Sequence, residues 1–303
     1  MGLNKNGMHP VLLGSASLSL IKSISESLAG RVAFVEMSPF LWQEVATADT
    51  GFDMATLWYR GGFPDAALAD DDLARLDWFE GYTRTFIERD LAALGIDVAG
   101  PQMRKLWTML AHTSGGLWNA SQLASSLGVS YKTVNRYTDI LEQTFLVRKL
   151  QPFFANIGKR LVKTPKIYMR DTGLLHYFLG IHSQETLATH PNRGASWESF
   201  LIEQLIVALS LFGPGCRFWY WRTAGGAEVD LLVEAGGSLV PVEMKLHSSP
   251  TRSLTGGMMS CLKDLRLKKG FVIYPGKEMY SLGEGISVLP ADDVLCSPAM
   301  LLD

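Results

Sequence analysis

Cysteine is scarce: 303 residues contain Cys216, Cys261 and Cys296 and no others. Their wide spacing excludes a zinc-binding pattern. Their odd number argues against a disulfide framework and for reduced thiols. Long hydrophobic runs are also missing, since none approaches the roughly 18 residues that a membrane-spanning helix needs. Residues 1–7 lack the apolar stretch of a secretory signal. These absences predict a cytoplasmic protein with no membrane partner. Neither sign of charge is in large excess. The formal net charge of −2 gives no global attraction to nucleic acid or lipid.

What is present is a globular composition, 47% hydrophobic and 19% charged, in a chain long enough for two or three domains. The charge is unevenly placed. Residues 44–97 hold twelve acidic and four basic side chains, whereas residues 131–170 hold nine basic and two acidic. A local basic region of this kind can bind a phosphate backbone in a neutral protein.

Hydrophobic patterning divides the chain into three, with a multi-domain α/β fold class. Residues 1–66 open with a buried strand at 11–17, a helix near 18–29 and a strand at 32–37, a fragment of a parallel sheet. Gly61-Gly-Phe-Pro64 marks a loop. Residues 67–180 begin with helices over 72–113, broken around Gly95 to Pro101, with Trp78, Phe79, Tyr82 and Phe86 on one helical face. A helix-turn-helix follows. Leu123, Ala124 and Leu127 line its first helix, Gly128 makes the turn, Ser130 is the N-cap, and Val134, Tyr137 and Leu141 line its second helix. Stretches at 145–154 and 166–169 read as wing strands. This arrangement points Tyr131, Lys132, Asn135 and Arg136 outward, followed by Lys159, Arg160, Lys163, Lys166, Tyr168 and Arg170 in the wing. Such a surface suits duplex DNA, held mainly through phosphates. The competing expectation is a winged helix used only for domain packing.

Residues 181–303 start with a polar connector to Gly194. A helix at 197–211 then carries apolar residues at 201, 202, 205 and 209, with Glu198 at the head of that stripe. Strands are expected at 217–222, 227–234, 239–245 and 270–274, with a helical stretch near 252–266. Gly236-Gly237 is a strong two-residue hairpin signal. It sets residue 235 opposite 238, hence Asp230 opposite Glu243 and Glu228 opposite Lys245. Alternation then puts these four on one face and Val229, Leu231, Val233, Val240, Val242 and Met244 on a core face. Two facing carboxylates beside an ammonium suit a hard divalent cation and a phosphate. Glu228 is either a further acidic neighbour or the partner of Lys245.

The order of helix with Glu198, strand, strand with Asp230, strand with Glu243-Met-Lys245, helix and strand resembles the PD-(D/E)xK phosphodiesterase core. That resemblance implies Mg²⁺ (or Mn²⁺) on Asp230, Glu243 and Glu198, with Lys245 as a catalytic partner. The whole chain is also similar to bacterial and archaeal AAA+-type ATPases that end in a nuclease-like domain of unknown function. The likeness rests on Leu12-Leu-Gly-Ser-Ala-Ser17, Ser27-Leu-Ala-Gly-Arg31, Gly61-Gly-Phe-Pro64, residues 82–90, Asn156-Ile-Gly-Lys-Arg160, Asp171-Thr-Gly-Leu-Leu175, Trp197-Glu198 and Glu228-Val-Asp230. It implies that Ser15 or Ser17 lies at a sensor position and Arg31 at an arginine-finger position. One departure is large: the chain contains no G-x-x-x-x-G-K-[ST] loop to cradle phosphates. The expectation is therefore the part of such a protein that follows its ATP-binding motifs, carrying a winged helix and a Mg²⁺-dependent nuclease-like domain and not hydrolysing ATP alone. The N-terminal remnant would pair with another copy or subunit. The alternative is a non-catalytic regulatory or interaction module with a vestigial acidic pocket.

Overall fold

The computed structural model describes residues 36–48, 51–154, 161–212 and 215–302. The expected strand–helix–strand near the N-terminus, with Ser15, Ser17 and Arg31, lies outside the described residues, as do Lys159 and Arg160. The described part is mixed α/β. Short helices α1 (Trp42–Thr47), α2 (Met54–Arg60) and α3 (Pro64–Ala67) lead into α4 (Asp72–Thr85), which continues through a π turn at Phe86–Asp90. Phe79 and Phe86 of the expected aromatic face are buried, while Trp78 and Tyr82 stack on each other and tilt against Phe63.

After α5 (Gly100–His112) comes the helix-turn-helix, α6 (Ala120–Leu127) and α7 (Tyr131–Gln143). Its local determinants match the sequence reading. Gly128 takes the left-handed conformation at φ 67°, which costs a glycine nothing. The Ser130 hydroxyl accepts from the Thr133 N–H at 3.1 Å and caps α7. Leu123, Ala124, Val134, Tyr137 and Leu141 are buried. Strands β1 (Val147–Leu150) and β2 (Lys166–Met169) form the antiparallel wing. Helices α8 (Thr172–Leu179) and α9 (Gln184–Thr189) follow. The polar connector expected at 180–194 contains α9, which is short and has Leu187 as its one buried residue.

The loop at Gly61 is held by Asp171. Its carboxylate caps α8 through the Leu174 N–H and also accepts from the Gly62 N–H, both at 2.7 Å. A Cβ at Gly61 would lie 2.5 Å from Asp171 Oδ1, and one at Gly173 would lie 2.0 Å from the Arg60 carbonyl oxygen. The Gly-Gly and Asp-Thr-Gly signatures are therefore two halves of one backbone junction.

The last part is a six-stranded sheet in the order β3 (Arg217–Arg222), β4 (Glu228–Ala235), β5 (Ser238–Met244), β6 (Gly270–Tyr274), β8 (Ile286–Pro290), β7 (Tyr280–Gly283). β3, β4 and β5 run antiparallel; β5, β6 and β8 are parallel; β7 returns antiparallel to β8. The sequence reading missed the β7–β8 hairpin and the following helix α12 (Ala291–Cys296). Helix α10 (Arg193–Phe212) packs Leu201, Ile202, Leu205 and Leu209 with Leu231, Val233, Val240, Val242, Met244, Ile273 and Leu289. Helix α11 (Gly256–Leu265) packs Met258, Cys261 and Leu262 with Val229, Val272, Tyr274 and Val288. Burying each such large side chain favours the fold by about 1.5–3 kcal/mol. Two described ends of the segment between β1 and β2 bond to β3: Phe153 N–H donates to Tyr220 O at 2.7 Å and Val162 N–H to Arg222 O at 3.0 Å. Wing and sheet are thus joined through backbone hydrogen bonds.

Candidate functional site

The β4–β5 hairpin adopts the expected register, Ala235 opposite Ser238 through Leu231 opposite Val242. Gly236 and Gly237 both have positive φ, 57° and 82°, the geometry that a tight hairpin turn demands. One feature was not legible. Between Trp219–Leu232 and Trp221–Val229 the β3–β4 register slips, so Asp230 and Leu231 together oppose Tyr220. This is a β-bulge. It breaks the alternation that the sequence reading assumed: Val229 joins the α11 side, whereas Leu231 and Val233 join the α10 side. The expected single core face is corrected accordingly. The bulge also re-aims Asp230, whose Oδ2 accepts from the Met244 N–H at 2.9 Å.

Around Asp230 lies a charge cluster that draws on three parts of the chain. Glu198 comes from the first turns of α10, Glu228 and Asp230 from β4, and Glu243 from β5 with Lys245 just beyond its end. The sixth contributor is one expected on the wing surface: Lys166, the first residue of β2. Its side chain is 3% exposed. Its Nζ lies 2.9 Å from Glu198 Oε1 and 3.8 Å from Asp230 Oδ1, and it pairs with Glu228. Tyr168, two residues along β2, donates its hydroxyl to Glu198 Oε1 at 2.7 Å. Arg222 Nη1 donates to Glu228 Oε2 at 2.6 Å. Lys245 pairs with Glu243 at 2.6 Å, not with Glu228. Glu243 Oε2 is buried and has no hydrogen-bond partner.

Electrostatics follow from this crowding. Burial and then the Glu198 charge raise Asp230 to about 7, against the pull of Lys166 and Lys245. Burial likewise raises Glu243 above the usual carboxylate range. Burial opposes the charge on Lys166, but Glu198, Tyr168, Asp230 and Glu228 outweigh it and hold the ammonium protonated. The donor set is all oxygen and suits a hard divalent cation. The orphaned Glu243 oxygen is the kind of group that a cation would satisfy. Among the described residues, however, no three His, Cys, Asp or Glu side chains already converge as a metal site. The carboxylates of Glu198 and Glu228 turn to the lysine instead.

A second polar seam joins the wing to α10. Arg148 grips Glu203 through two hydrogen bonds, at 2.7 and 2.9 Å, and Arg170 Nε donates to Glu203 Oε1 at 2.6 Å. Arg170 also pairs with Glu36. Among the described basic residues of 131–170, Arg148, Lys149, Lys166 and Arg170 are therefore spent on internal pairs. Lys166, Tyr168 and Arg170 are buried, which corrects their placement on the outward face, and Lys149 pairs with Asp139 and Glu142. Of the expected nucleic-acid contacts, Tyr131, Lys132, Arg136 and Lys163 are exposed. Arg136 donates to the Asp97 carbonyl at 3.1 Å, and Asn135 is half-buried and accepts from the Trp118 indole at 3.2 Å. A Ser196–His176 contact at 2.7 Å is structural. The other ring nitrogen meets the Tyr59 carbonyl, the Trp58 indole donates to Ser196, and Ser196 and His176 are 1% and 0% exposed.

Residues 51–185 match the model of a domain of unknown function, DUF8612, and residues 193–294 match that of a second, DUF4143. DUF4143 occurs in AAA-ATPase-associated proteins. An uncharacterised protein of Mycobacterium tuberculosis (strain ATCC 25618 / H37Rv) is 44% identical over 285 residues, covering 94% of this chain and 62% of that protein. A Mycobacterium bovis protein gives the same figures. An uncharacterised Haemophilus influenzae protein is 26% identical over 184 residues, 56% of this chain and 46% of that one. The chain thus spans about three-fifths of the length of its mycobacterial relatives. No described helix is long and apolar enough to cross a membrane.

Proposed function

We propose that this chain is the portion of an AAA+-type ATPase-family protein that recognises nucleic acid and acts on its phosphodiester backbone at the Asp230 pocket. The observation that carries the reading is the joint placement of Asp230, Glu243 and Lys245 at the end of the β4–β5 hairpin. Glu198 enters the same cluster from the preceding helix, and the bulge aims Asp230 into it. The helix–three strands–helix–strand order around it agrees with the PD-(D/E)xK likeness.

Asp230 and Glu243, with Glu198, would hold Mg²⁺ or Mn²⁺, which when bound supplies an acidified water and polarises a phosphate oxygen. The protein's own part is then distinct. Lys245, paired with Glu243, sits where an ammonium can offset negative charge on a phosphate. The Met244 N–H fixes the Asp230 carboxylate, and the apolar layers beneath exclude water. The exposed Tyr131, Lys132, Arg136 and Lys163 supply contacts to the backbone of duplex DNA.

A second reading has its own observation in favour. Lys166 and Arg222 neutralise much of the cluster, as a permanent latch in a non-catalytic interaction module would. Mn²⁺ or Mg²⁺ separates the two. If the pocket binds a cation, the melting temperature rises with metal concentration by mass action, and Asp230→Asn removes the rise. A melting temperature indifferent to both metals favours the latch.

A further inference from the structure

Lys166 is the most fully enclosed charge of the cluster, yet it does not belong to the sheet that builds the pocket. It arrives from the wing. Its backbone is held by the segment that leads into the helix-turn-helix: Leu117 bridges to Lys166, Trp118 N–H donates to Pro165 O at 2.8 Å, and Gly115 N–H to Ile167 O at 2.7 Å. Its ammonium engages the carboxylates of Glu198, Glu228 and Asp230. These are oxygens that a divalent cation would need. A divalent cation on these same oxygens would have to displace the ammonium, which lies 2.9 Å from Glu198 Oε1 and pairs with Glu228. Meanwhile one buried oxygen, Glu243 Oε2, remains unpartnered in the same pocket. The cluster thus has a ligand atom left over, while an internal cation occupies its other members.

We propose that Lys166 is a tethered cation that keeps the acidic pocket closed, so that a divalent cation enters only when β2 withdraws the lysine. The proposal rests on the cation-site reading above and adds what controls it. Because β2 is hydrogen-bonded to the 115–118 segment that precedes α6, a shift of the winged helix against the sheet would carry the lysine with it. Lys163, three residues earlier on the same segment, is exposed and available to a phosphate.

Two measurements on the full chain test this, with Mn²⁺ alone as the probe. In the first, Mn²⁺ affinity is compared by titration for wild type, Lys166→Met and Asp230→Asn. Removing the competitor should tighten Asp230-dependent binding at least tenfold. Equal affinity in wild type and Lys166→Met would overturn the proposal and leave the cation site standing. Absence of Asp230-dependent binding from both would overturn the cation site itself. The second measurement covers a Lys166→Met variant that fails to fold: amine acylation of wild type, read by mass spectrometry at Lys166. Saturating Mn²⁺ should raise labelling of Lys166 severalfold, with no rise in Asp230→Asn. A Lys166 that stays protected while Mn²⁺ occupies an Asp230-dependent site would overturn the proposal.

Discussion

His176 illustrates how a buried polar residue can look catalytic and be structural. It lies on α8 with one ring nitrogen on the Tyr59 carbonyl and the other on Ser196, and no path to solvent. Burial, with Arg75 and His190 adding repulsion, lowers its pKa from 6.5 to about 4. Below pH about 6.5 the unfolded chain binds a proton that the folded imidazole refuses. The stability His176 contributes is therefore complete above that pH and falls by about 1.4 kcal/mol per pH unit down to about 4. Asp171 acts in the opposite sense. Burial raises it to about 6, so its contribution is largest below the ordinary Asp range and is lost as pH rises through about 6. The two partly cancel in the wild type, so the test is a subtraction. The stability difference between wild type and His176→Gln, from urea unfolding, should shrink by about 2 kcal/mol from pH 7 to pH 5. A difference independent of pH would contradict the burial argument.

At the scale of elements, the wing is bound to α10 through ions. Glu203 is the shared acceptor of Arg148 and Arg170. Replacing it with Ala leaves Arg148 without its carboxylate and Arg170 with Glu36 alone, a change that costs about 3–5 kcal/mol where a buried pair is broken from one side. Denaturant midpoints for Glu203→Ala and Glu203→Gln should both fall, the Ala variant by more. An unchanged midpoint would mean that solvent reaches the guanidinium groups. The outward side of α7 makes a different prediction. If Lys132 and Arg136 contact phosphates of duplex DNA, their replacement with Ala should weaken binding and flatten the salt slope by about 1–2 units. Unchanged affinity and slope would assign the helix-turn-helix to packing alone.

Local signals were legible where a residue's conformation is set by its neighbours. The αL turn at Gly128, the Ser130 cap, the Gly236-Gly237 hairpin and the apolar stripe of α10 were all readable for that reason. The bulge at Asp230 was not, because it arises from how β3 pairs with β4 and leaves no turn residue in either strand. Lys166 was misassigned for a related reason. A Lys-Ile-Tyr-Met strand alternates polar and apolar like a half-exposed strand, a pattern that predicts a solvent-facing charge. Nothing near it in sequence reveals that Glu198, Glu228 and Asp230, 32 to 64 residues away, close over it.

Among the described residues, the winged helix and the sheet domain meet across a seam of charge, and the acidic cluster lies on that seam. The reading of this pocket as a cation-dependent phosphodiester site is tested most directly by incubating supercoiled DNA with the full chain and Mn²⁺ and comparing wild type with Asp230→Asn. The account predicts nicked product that requires Mn²⁺ and disappears in Asp230→Asn while that variant retains its fold. Wild type that leaves DNA intact at Mn²⁺ saturation, or nicking of equal rate in Asp230→Asn, would contradict it.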